Sequence, residues 1–153
     1  FVKAARVLKV GLSNEPLNFA LATGLGSGYL KPAPGTWGSL LGLGIYYLYP
    51  VSLLGIIIAI FLGVYICQRG EEILREKDSP KIVWDEIVGI WIALWNIPLT
   101  YYPLAFILFR LFDIKKFYFI DKLQKYPGGL GIMLDDLAAG LVTRIIIGLL
   151  LLF

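Results

Sequence analysis

Residues 51–67 read VSLLGIIIAIFLGVYIC, without a single charged side chain. A helix over this stretch is apolar around most of its circumference, and so is a helix over Leu137–Phe153. Helices that are apolar on all sides are found in the core of a large protein or across a membrane. The stretch therefore predicts a membrane helix. The alternative is a soluble helical bundle with an unusually apolar core.

The composition of the whole chain supports the membrane interpretation. At 153 residues the chain has room for one domain, which we take as residues 1–153. The chain is 58% hydrophobic and 16% charged, with a mean hydropathy of +0.77, whereas a soluble domain carries about 25% charged residues. The net charge of +3 is too small and too scattered to predict nucleic-acid binding, but it suits an anionic membrane surface.

The absence of one residue type excludes several kinds of chemistry. The chain contains no histidine, so a histidine base, a phosphohistidine intermediate and histidine-bound zinc are all excluded. Its single cysteine, Cys67, cannot form an internal disulfide, and Ile73 stands where a Cys-x₅-Arg phosphatase motif requires arginine. Any hydrolytic chemistry must therefore rest on carboxylates, metals, hydroxyls, lysine or arginine.

Charged residues lie in every second connection between the apolar runs. The runs are Trp37–Tyr49, Val51–Cys67, Ile87–Ile97, Tyr101–Phe112 and Leu137–Phe153. If the chain crosses at every run, 13 of the 14 Lys and Arg residues share one side of the membrane, in segments 1–31, 69–86 and 110–125. The positive-inside rule makes that side cytoplasmic.

This layout predicts an all-α, polytopic membrane bundle with its charged residues on the cytoplasmic face. Two apolar hairpins turn at Pro50 and between Pro98 and Pro103, and a C-terminal membrane helix follows them. Trp37–Tyr49 has 13 residues, fewer than the roughly 20 that a full span needs. Local thinning of the bilayer and incomplete crossing both remain open for the short runs.

Adjacent carboxylates, Asp85 and Glu86, stand at the start of an apolar helix. Helix capping explains one acid at such a place, but it explains a second poorly. Gly89 lies one turn beyond Asp85 and would let another helix approach closely. A functional role for this pair is therefore favoured over capping.

Opposite charges follow one another near the end of the fourth run. Arg110 and Asp113 are three residues apart and share a helix face. A private ion pair is one interpretation. Lys115 follows at once, so the positive charge of this segment also suits a bound anion.

A second carboxylate pair, Asp135 and Asp136, follows the glycine-rich residues 128–131. We expect a flexible glycine turn that brings both acids to the head of the last helix. Ionisable residues at the edge of a membrane helix are costly and indicate function. Arg144 lies on the face of Asp136 two turns further on, where it could bind phosphate or neutralise Asp136.

The glycine-rich and proline-rich stretch before the first apolar run is a weaker candidate. Backbone N–H groups and hydroxyls ahead of a helix can bind a phosphate. The candidate substrate-binding residues here are Ser27, Lys31, Thr36 and Ser39.

Five carboxylates at one interface would repel one another without a cation between them. They are Asp85, Glu86, Asp113, Asp135 and Asp136, which we predict as both metal-binding and catalytic residues. Hard oxygen ligands without histidine or cysteine favour Mg²⁺ or Mn²⁺ over zinc. Bound magnesium usually completes its shell with water and phosphate, and Arg110, Lys115 and Arg144 could then hold phosphate oxygens.

Taken in order, these motifs resemble the phosphatidylglycerophosphatase A family of bacterial inner-membrane enzymes. The matching stretches run from about residue 24 to 144: Gly26-Ser-Gly28, Pro34-Gly-Thr-Trp-Gly-Ser39, Ile82-Val-Trp-Asp-Glu-Ile-Val-Gly89, Phe109-Arg-Leu-Phe-Asp-Ile-Lys115 and Gly128-Gly-Leu-Gly-Ile-Met-Leu-Asp-Asp-Leu-Ala-Ala-Gly140. The resemblance implies an all-helical, Mg²⁺-dependent phosphatase. Its substrate would be phosphatidylglycerophosphate, and its products phosphatidylglycerol and inorganic phosphate.

Two mechanisms and one other class of function stay open at this stage. The first mechanism is direct attack of water on the phosphorus, and the alternative is a phosphoenzyme formed on an aspartate. The rival class is a small ion-binding or transport protein that uses the same acids as a cation pathway. The sequence leaves the number of subunits and the number of metal ions open.

Overall fold

The computed structural model describes residues 15–116, 118–123 and 125–153. Within these ranges all regular structure is helical, which confirms the all-α prediction. The helices are α1 (Glu15–Ala22), α2 (Pro34–Leu48), α3 (Leu53–Leu74), α4 (Trp84–Leu94), α5 (Tyr102–Lys115), α6 (Tyr118–Leu123) and α7 (Gly128–Leu150), with 3₁₀ turns at Ser27–Tyr29 and Leu99–Tyr101. The N-terminal basic residues Lys3, Arg6 and Lys9, which the charge pattern assigns to the cytoplasmic side, lie outside the described residues.

Local sequence accounts for where the first hairpin begins and turns. α2 starts at Pro34, and proline suits the first helical position because its missing N–H would have no partner there. α3 starts after Ser52, whose Oγ accepts a hydrogen bond from the Gly55 N–H at 3.1 Å. It continues two turns beyond the apolar run and ends at Arg75, which has left-handed backbone angles.

The last helix begins earlier than its sequence predicts. α7 already includes Gly128 and Gly129, so the expected glycine turn before Asp135 is wrong. The physical reason is packing against α3: a Cβ at Gly129 would lie 2.0 Å from the Val64 carbonyl oxygen. The glycines let two helices approach, and Asp135 and Asp136 lie about two turns inside α7.

Helix α4 is the centre of the fold, because it packs against α2, α3, α5 and α7. Its closest approach is to α7, where a Cβ at Gly140 would lie 2.4 Å from the Gly89 carbonyl oxygen. This confirms the prediction that Gly89 lets another helix approach. Ile90 and Leu94 of α4 are fully buried, together with Phe109 of α5 and Met133 of α7.

The outer surface of the bundle is strongly apolar. Phe61 on α3, Ile107 on α5 and Leu141 on α7 are each more than half exposed. Among the helices of the described residues, only α3 combines the length and the apolar composition needed to cross a membrane. The other helices are too short or carry too many charges by the same measure.

Three helices, α2, α4 and α5, are much shorter than α3 and α7. α2, α4 and α5 contain 15, 11 and 14 residues, which at 1.5 Å per residue gives about 22, 17 and 21 Å. α3 and α7 contain 22 and 23 residues, or about 33–35 Å. The tip between α4 and α5 therefore lies beside α7 rather than at its end, and there the Arg144 Nε–H donates to the Trp95 carbonyl at 2.7 Å.

Candidate active site: a buried carboxylate cluster

Three helices bring the five predicted carboxylates together. Asp85 and Glu86 lie in the first turn of α4, Asp113 lies in the last turn of α5, and Asp135 and Asp136 lie on α7. All five line one cavity of about 210 Å³. Its other lining residues are Asp78, Ser79, Pro80, Ile82 and Lys116.

Three of the carboxylates form a compact group. Asp85, Glu86 and Asp136 each offer one oxygen, and these oxygens lie within 4.8 Å of one another. Asp85 Oδ1, Glu86 Oε2 and Asp136 Oδ2 are buried and have no hydrogen-bond partner in the described residues. A buried charge without a partner is costly, and these three carboxylates could hold a cation.

The other two carboxylates are paired with cations of the protein. Asp113 forms an ion pair with Arg110 on the same face of α5. Asp135 forms one with Lys116, whose Nζ lies 3.0 Å from Oδ2. The cluster is therefore divided into a group of three unpaired acids and two flanking ion pairs.

Burial changes the acidity of the unpaired group. It raises the pKa of Asp85, Glu86 and Asp136 well above the ordinary carboxyl value, and the neighbouring carboxylates raise these pKa values further. Burial also raises the pKa of Asp135, to about 6, although the Lys116 ammonium opposes that shift. Without a metal, protons are therefore the cations that hold the cluster together.

The donor set fits Mg²⁺ or Mn²⁺. Each of the three carboxylates offers an oxygen within 4.8 Å of an oxygen of the other two, and the chain has no histidine to favour a softer metal. A divalent cation bound there would neutralise the repulsion and satisfy the three oxygens. Asp85, Glu86 and Asp136 are the residues that would hold it.

The start of α2 completes the wall beside Glu86. A Cβ at Gly35 would lie 2.7 Å from Glu86 Oε1 and 3.1 Å from the terminal nitrogens of Arg110. Gly35 was not among the predicted site residues, although its motif was. Of the predicted hydroxyls in this motif, the buried Ser39 donates to the Gly35 carbonyl at 2.8 Å, and Thr36 is partly buried in the first turn of α2.

The glycine loop that precedes α2 contacts parts of the protein other than the carboxylate cluster. Ser27 Oγ donates to the Thr23 carbonyl at 3.3 Å, and Lys31 is exposed. A Cβ at Gly28 would lie 2.0 Å from the Lys81 carbonyl oxygen. The loop thus supports the segment that leads into Asp85, and neither Ser27 nor Lys31 is among the residues that line the cavity.

Two predicted cations lie apart from the carboxylates. Lys115 is exposed in the last turn of α5, whereas the next residue, Lys116, lines the cavity. Arg144 lies eight residues beyond Asp136, about 12 Å along the helix axis. Its guanidinium binds the Trp95 carbonyl and lies 5.8 Å from the centre of the Trp95 ring. The structure therefore favours neither of the two roles predicted for Arg144, phosphate binding or neutralisation of Asp136.

Comparison with known proteins adds an independent line of evidence. The family model described as phosphatidylglycerophosphatase A matches residues 20–151. A protein of Haemophilus influenzae named phosphatidylglycerophosphatase A is 44% identical over 155 aligned positions, covering 91% of this chain and 90% of the relative. Its namesake in Escherichia coli K12 is 35% identical, with 80% and 77% covered.

A further relative carries a different name. A protein of Bacteroides thetaiotaomicron named putative phosphatidylinositol-3-phosphatase is 36% identical to the chain, covering 83% of the chain and 89% of the relative. No solved structure matches the chain.

Proposed function

The chain belongs to the phosphatidylglycerophosphatase A family, and from this we propose that it is a Mg²⁺-dependent phosphatase that converts phosphatidylglycerophosphate to phosphatidylglycerol and orthophosphate. The observation that carries the proposal is the group of three buried, unpartnered carboxylate oxygens of Asp85, Glu86 and Asp136. They line a cavity that Arg110 and Lys116 flank with positive charge. A phosphomonoester dianion needs this combination of a metal site and nearby cations.

In this proposal the protein's own groups bind and orient the phosphate. Arg110, held by Asp113, offers N–H donors to phosphate oxygens. Asp85, Glu86 and Asp136 hold Mg²⁺, which when bound supplies charge neutralisation and a more acidic water. Gly35 of α2 lies beside Glu86 and Arg110, and any larger side chain there would displace these two groups.

The reaction we propose is attack of water on the terminal phosphorus. The bond from water oxygen to phosphorus forms as the bond from phosphorus to the glycerol oxygen breaks. A carboxylate of the cluster takes the water proton, and the glycerol oxygen gains one to become the hydroxyl of phosphatidylglycerol. Carboxyls whose pKa is raised toward neutrality are suited to this exchange.

We place the protein in the bacterial cytoplasmic membrane as a multi-pass protein with its cavity on the cytoplasmic side. The supporting observations are the apolar outer surface, the length of α3 and the 13 cations outside the last helix. Because α4 is about 17 Å long and the hydrocarbon core about 30 Å thick, the α4–α5 hairpin would enter the bilayer without crossing it. The acyl chains of the substrate would lie against the apolar helices.

The test is phosphate release from phosphatidylglycerophosphate by the purified protein in detergent. We expect release with Mg²⁺, none with excess chelator, and a loss of about 10²–10³-fold in Asp136→Asn, the range seen when one group that stabilises transition-state charge is removed. Asp121→Asn is the matched control, because Asp121 is an exposed aspartate on α6. Phosphatidylinositol 3-phosphate, run in parallel, tests whether the Bacteroides relative's name describes this cavity better.

Two results would contradict the proposal. If folded protein releases no phosphate from either lipid, the lipid-phosphatase function is wrong and ion flux in liposomes becomes the measurement to make. If release persists in chelator, the metal requirement is wrong.

A further inference from the structure

Asp135 and Asp136 are neighbours in sequence, but their oxygens have opposite surroundings. Asp136 Oδ2 is buried without a partner. Both oxygens of Asp135 are engaged: Oδ1 accepts the Asp136 N–H at 3.0 Å, and Oδ2 accepts from Lys116 Nζ at 3.0 Å. Each oxygen of Asp135 thus accepts a hydrogen bond within the described residues, and its partner in the cavity is an ammonium group.

Lys116 is placed at the mouth of the cavity by the end of α5. Its backbone is left-handed, with φ 42° and ψ 70°, which ends the helix and turns the chain. Its side chain is 32% exposed and that of Asp135 is 6% exposed, so the pair joins the interior to the opening. An ammonium has three N–H donors. Within the described residues, the hydrogen-bond partner of this ammonium is Asp135, so its other N–H groups can donate to a ligand.

A purely structural role explains this ion pair poorly. Because the Lys116 side chain is 32% exposed, solvent weakens what its pair with Asp135 contributes to stability. The same ammonium lines the cavity with the three unpaired carboxylates, whose negative charge would repel a phosphate dianion. The five carboxylates outnumber the two cations beside them, Arg110 and Lys116, so each of these cations offsets negative charge that would otherwise repel a dianion.

We propose that Lys116 binds a terminal oxygen of the substrate phosphomonoester, and that Asp135 is a positioning residue for Lys116 and not a metal ligand. This inference rests on the proposed function. The Lys116–Asp135 pair then corresponds to the Arg110–Asp113 pair, which also lies at the end of α5. Each pair consists of a cation that contacts phosphate and a carboxylate that orients it.

The test separates anion binding from metal binding in the full-length protein in detergent. Equilibrium binding of orthophosphate is measured in the presence of Mn²⁺, and Mn²⁺ binding alone is measured by electron paramagnetic resonance. Lys116→Met should weaken orthophosphate binding by about 10-fold or more and leave Mn²⁺ binding unchanged. Asp135→Asn should have the same pattern with a smaller loss, whereas Asp136→Asn should lose Mn²⁺. Lys116→Arg should bind orthophosphate better than Lys116→Met does.

Control variants exclude indirect effects. Lys125→Met removes an exposed lysine outside the cavity and should bind orthophosphate as the unaltered protein does. Lys116→Gly suits the left-handed backbone and removes the ammonium, so it repeats the test should Lys116→Met fail to fold.

The inference is overturned if Lys116→Met and Lys116→Gly bind orthophosphate as tightly as Lys125→Met, or if Asp135→Asn loses Mn²⁺ as Asp136→Asn does. Turnover of the lipid by the unaltered protein is a separate measurement. If that turnover is absent while the binding pattern is as expected, the proposed function is wrong and the assignment of Lys116 and Asp135 is supported.

Discussion

Helix α7 has two charged regions, one around Asp136 and one around Arg144, and the surroundings of these two side chains are opposite. The Arg144 guanidinium donates to the Trp95 carbonyl at 2.7 Å and lies over the Trp95 ring. Asp136, about 12 Å away along the helix, has a buried oxygen with no partner, as do Asp85 and Glu86 beside it. The Arg144 charge has a partner within the protein, whereas Asp136 Oδ2 has none in the described residues.

The difference shows how a structural charge is distinguished from a functional one. α4 is short and ends at Leu94, and the carbonyl of the next residue, Trp95, accepts from Arg144. A cation near a helix C-terminus is favourable, so Arg144 stabilises the hairpin tip. The carboxylates gain a little from the N-terminus of α4 but repel one another, and a cation bound between them would remove that repulsion.

Moving α4 and α7 apart should have the largest effect, because both regions depend on this interface. In Gly140→Ala the new Cβ would lie 2.4 Å from the Gly89 carbonyl oxygen. We expect a loss of about 1–3 kcal/mol in the free energy of unfolding. Phosphate release should fall by about 10²-fold, as a shift of roughly 1 Å in a catalytic group can cause.

Gly44→Ala is the control for that experiment. It lies in the interior of α2 with no atom within 4 Å of the new Cβ, so it should be stabilising by about 0.5–1 kcal/mol. If Gly140→Ala is as stable and active as Gly44→Ala, the close approach of α4 and α7 is not needed.

The contrast between the two regions predicts that two substitutions change the free energy of unfolding of the metal-free protein in opposite directions. Arg144→Met leaves the Trp95 carbonyl without its donor and should lower the free energy of unfolding by about 1–3 kcal/mol. Asp136→Asn removes a buried carboxylate that repels its neighbours and should raise the free energy of unfolding. Chemical denaturation in detergent with chelator measures both. A loss of stability in both variants would show that Asp136 is as structural as Arg144.

The smallest effect concerns pH. Because burial raises the pKa of Asp85, Glu86 and Asp136, the folded metal-free protein holds protons that the unfolded chain has lost, and its stability should fall as pH rises. A metal must displace those protons. The stabilisation by Mg²⁺ should therefore grow with pH, by about 1.4 kcal/mol per pH unit for each proton displaced.

Melting temperatures with Mg²⁺ and with chelator, measured from pH 5 to 8, test this. The difference should be smallest at pH 5 and should widen as pH rises, because burial raises the pKa of Asp85, Glu86 and Asp136. Asp136→Asn should flatten the dependence. A difference that is constant over this range would mean that the carboxyls are already ionised before the metal binds.

Much of the fold follows from the sequence, because it rests on local properties. The apolar runs predict helices, and helices are found at each of them. Gly89 predicts a close helix contact, and α7 makes it. The predicted start of α7 was wrong because glycine, which usually weakens a helix, here permits the approach of α3 at Val64.

The set of site residues was only partly predictable. Gly35 was missed because its importance depends on Glu86 and Arg110, which lie more than 50 residues away in sequence. Lys116 was passed over in favour of Lys115. Neighbouring residues on a helix point about 100° apart, and α5 ends between these two lysines, so helical periodicity gives no reason to choose the second.

The sequence by itself determined that this protein is helical and strongly apolar, and that it has no histidine to use in any chemistry. Composition and periodicity are sufficient for these conclusions, because they depend on single residues and their near neighbours. Only the tertiary structure decided which carboxylates are paired and which are free, and that Arg144 belongs to a hairpin tip. Those properties depend on which faces of α4, α5 and α7 meet, and packing between distant segments sets that geometry.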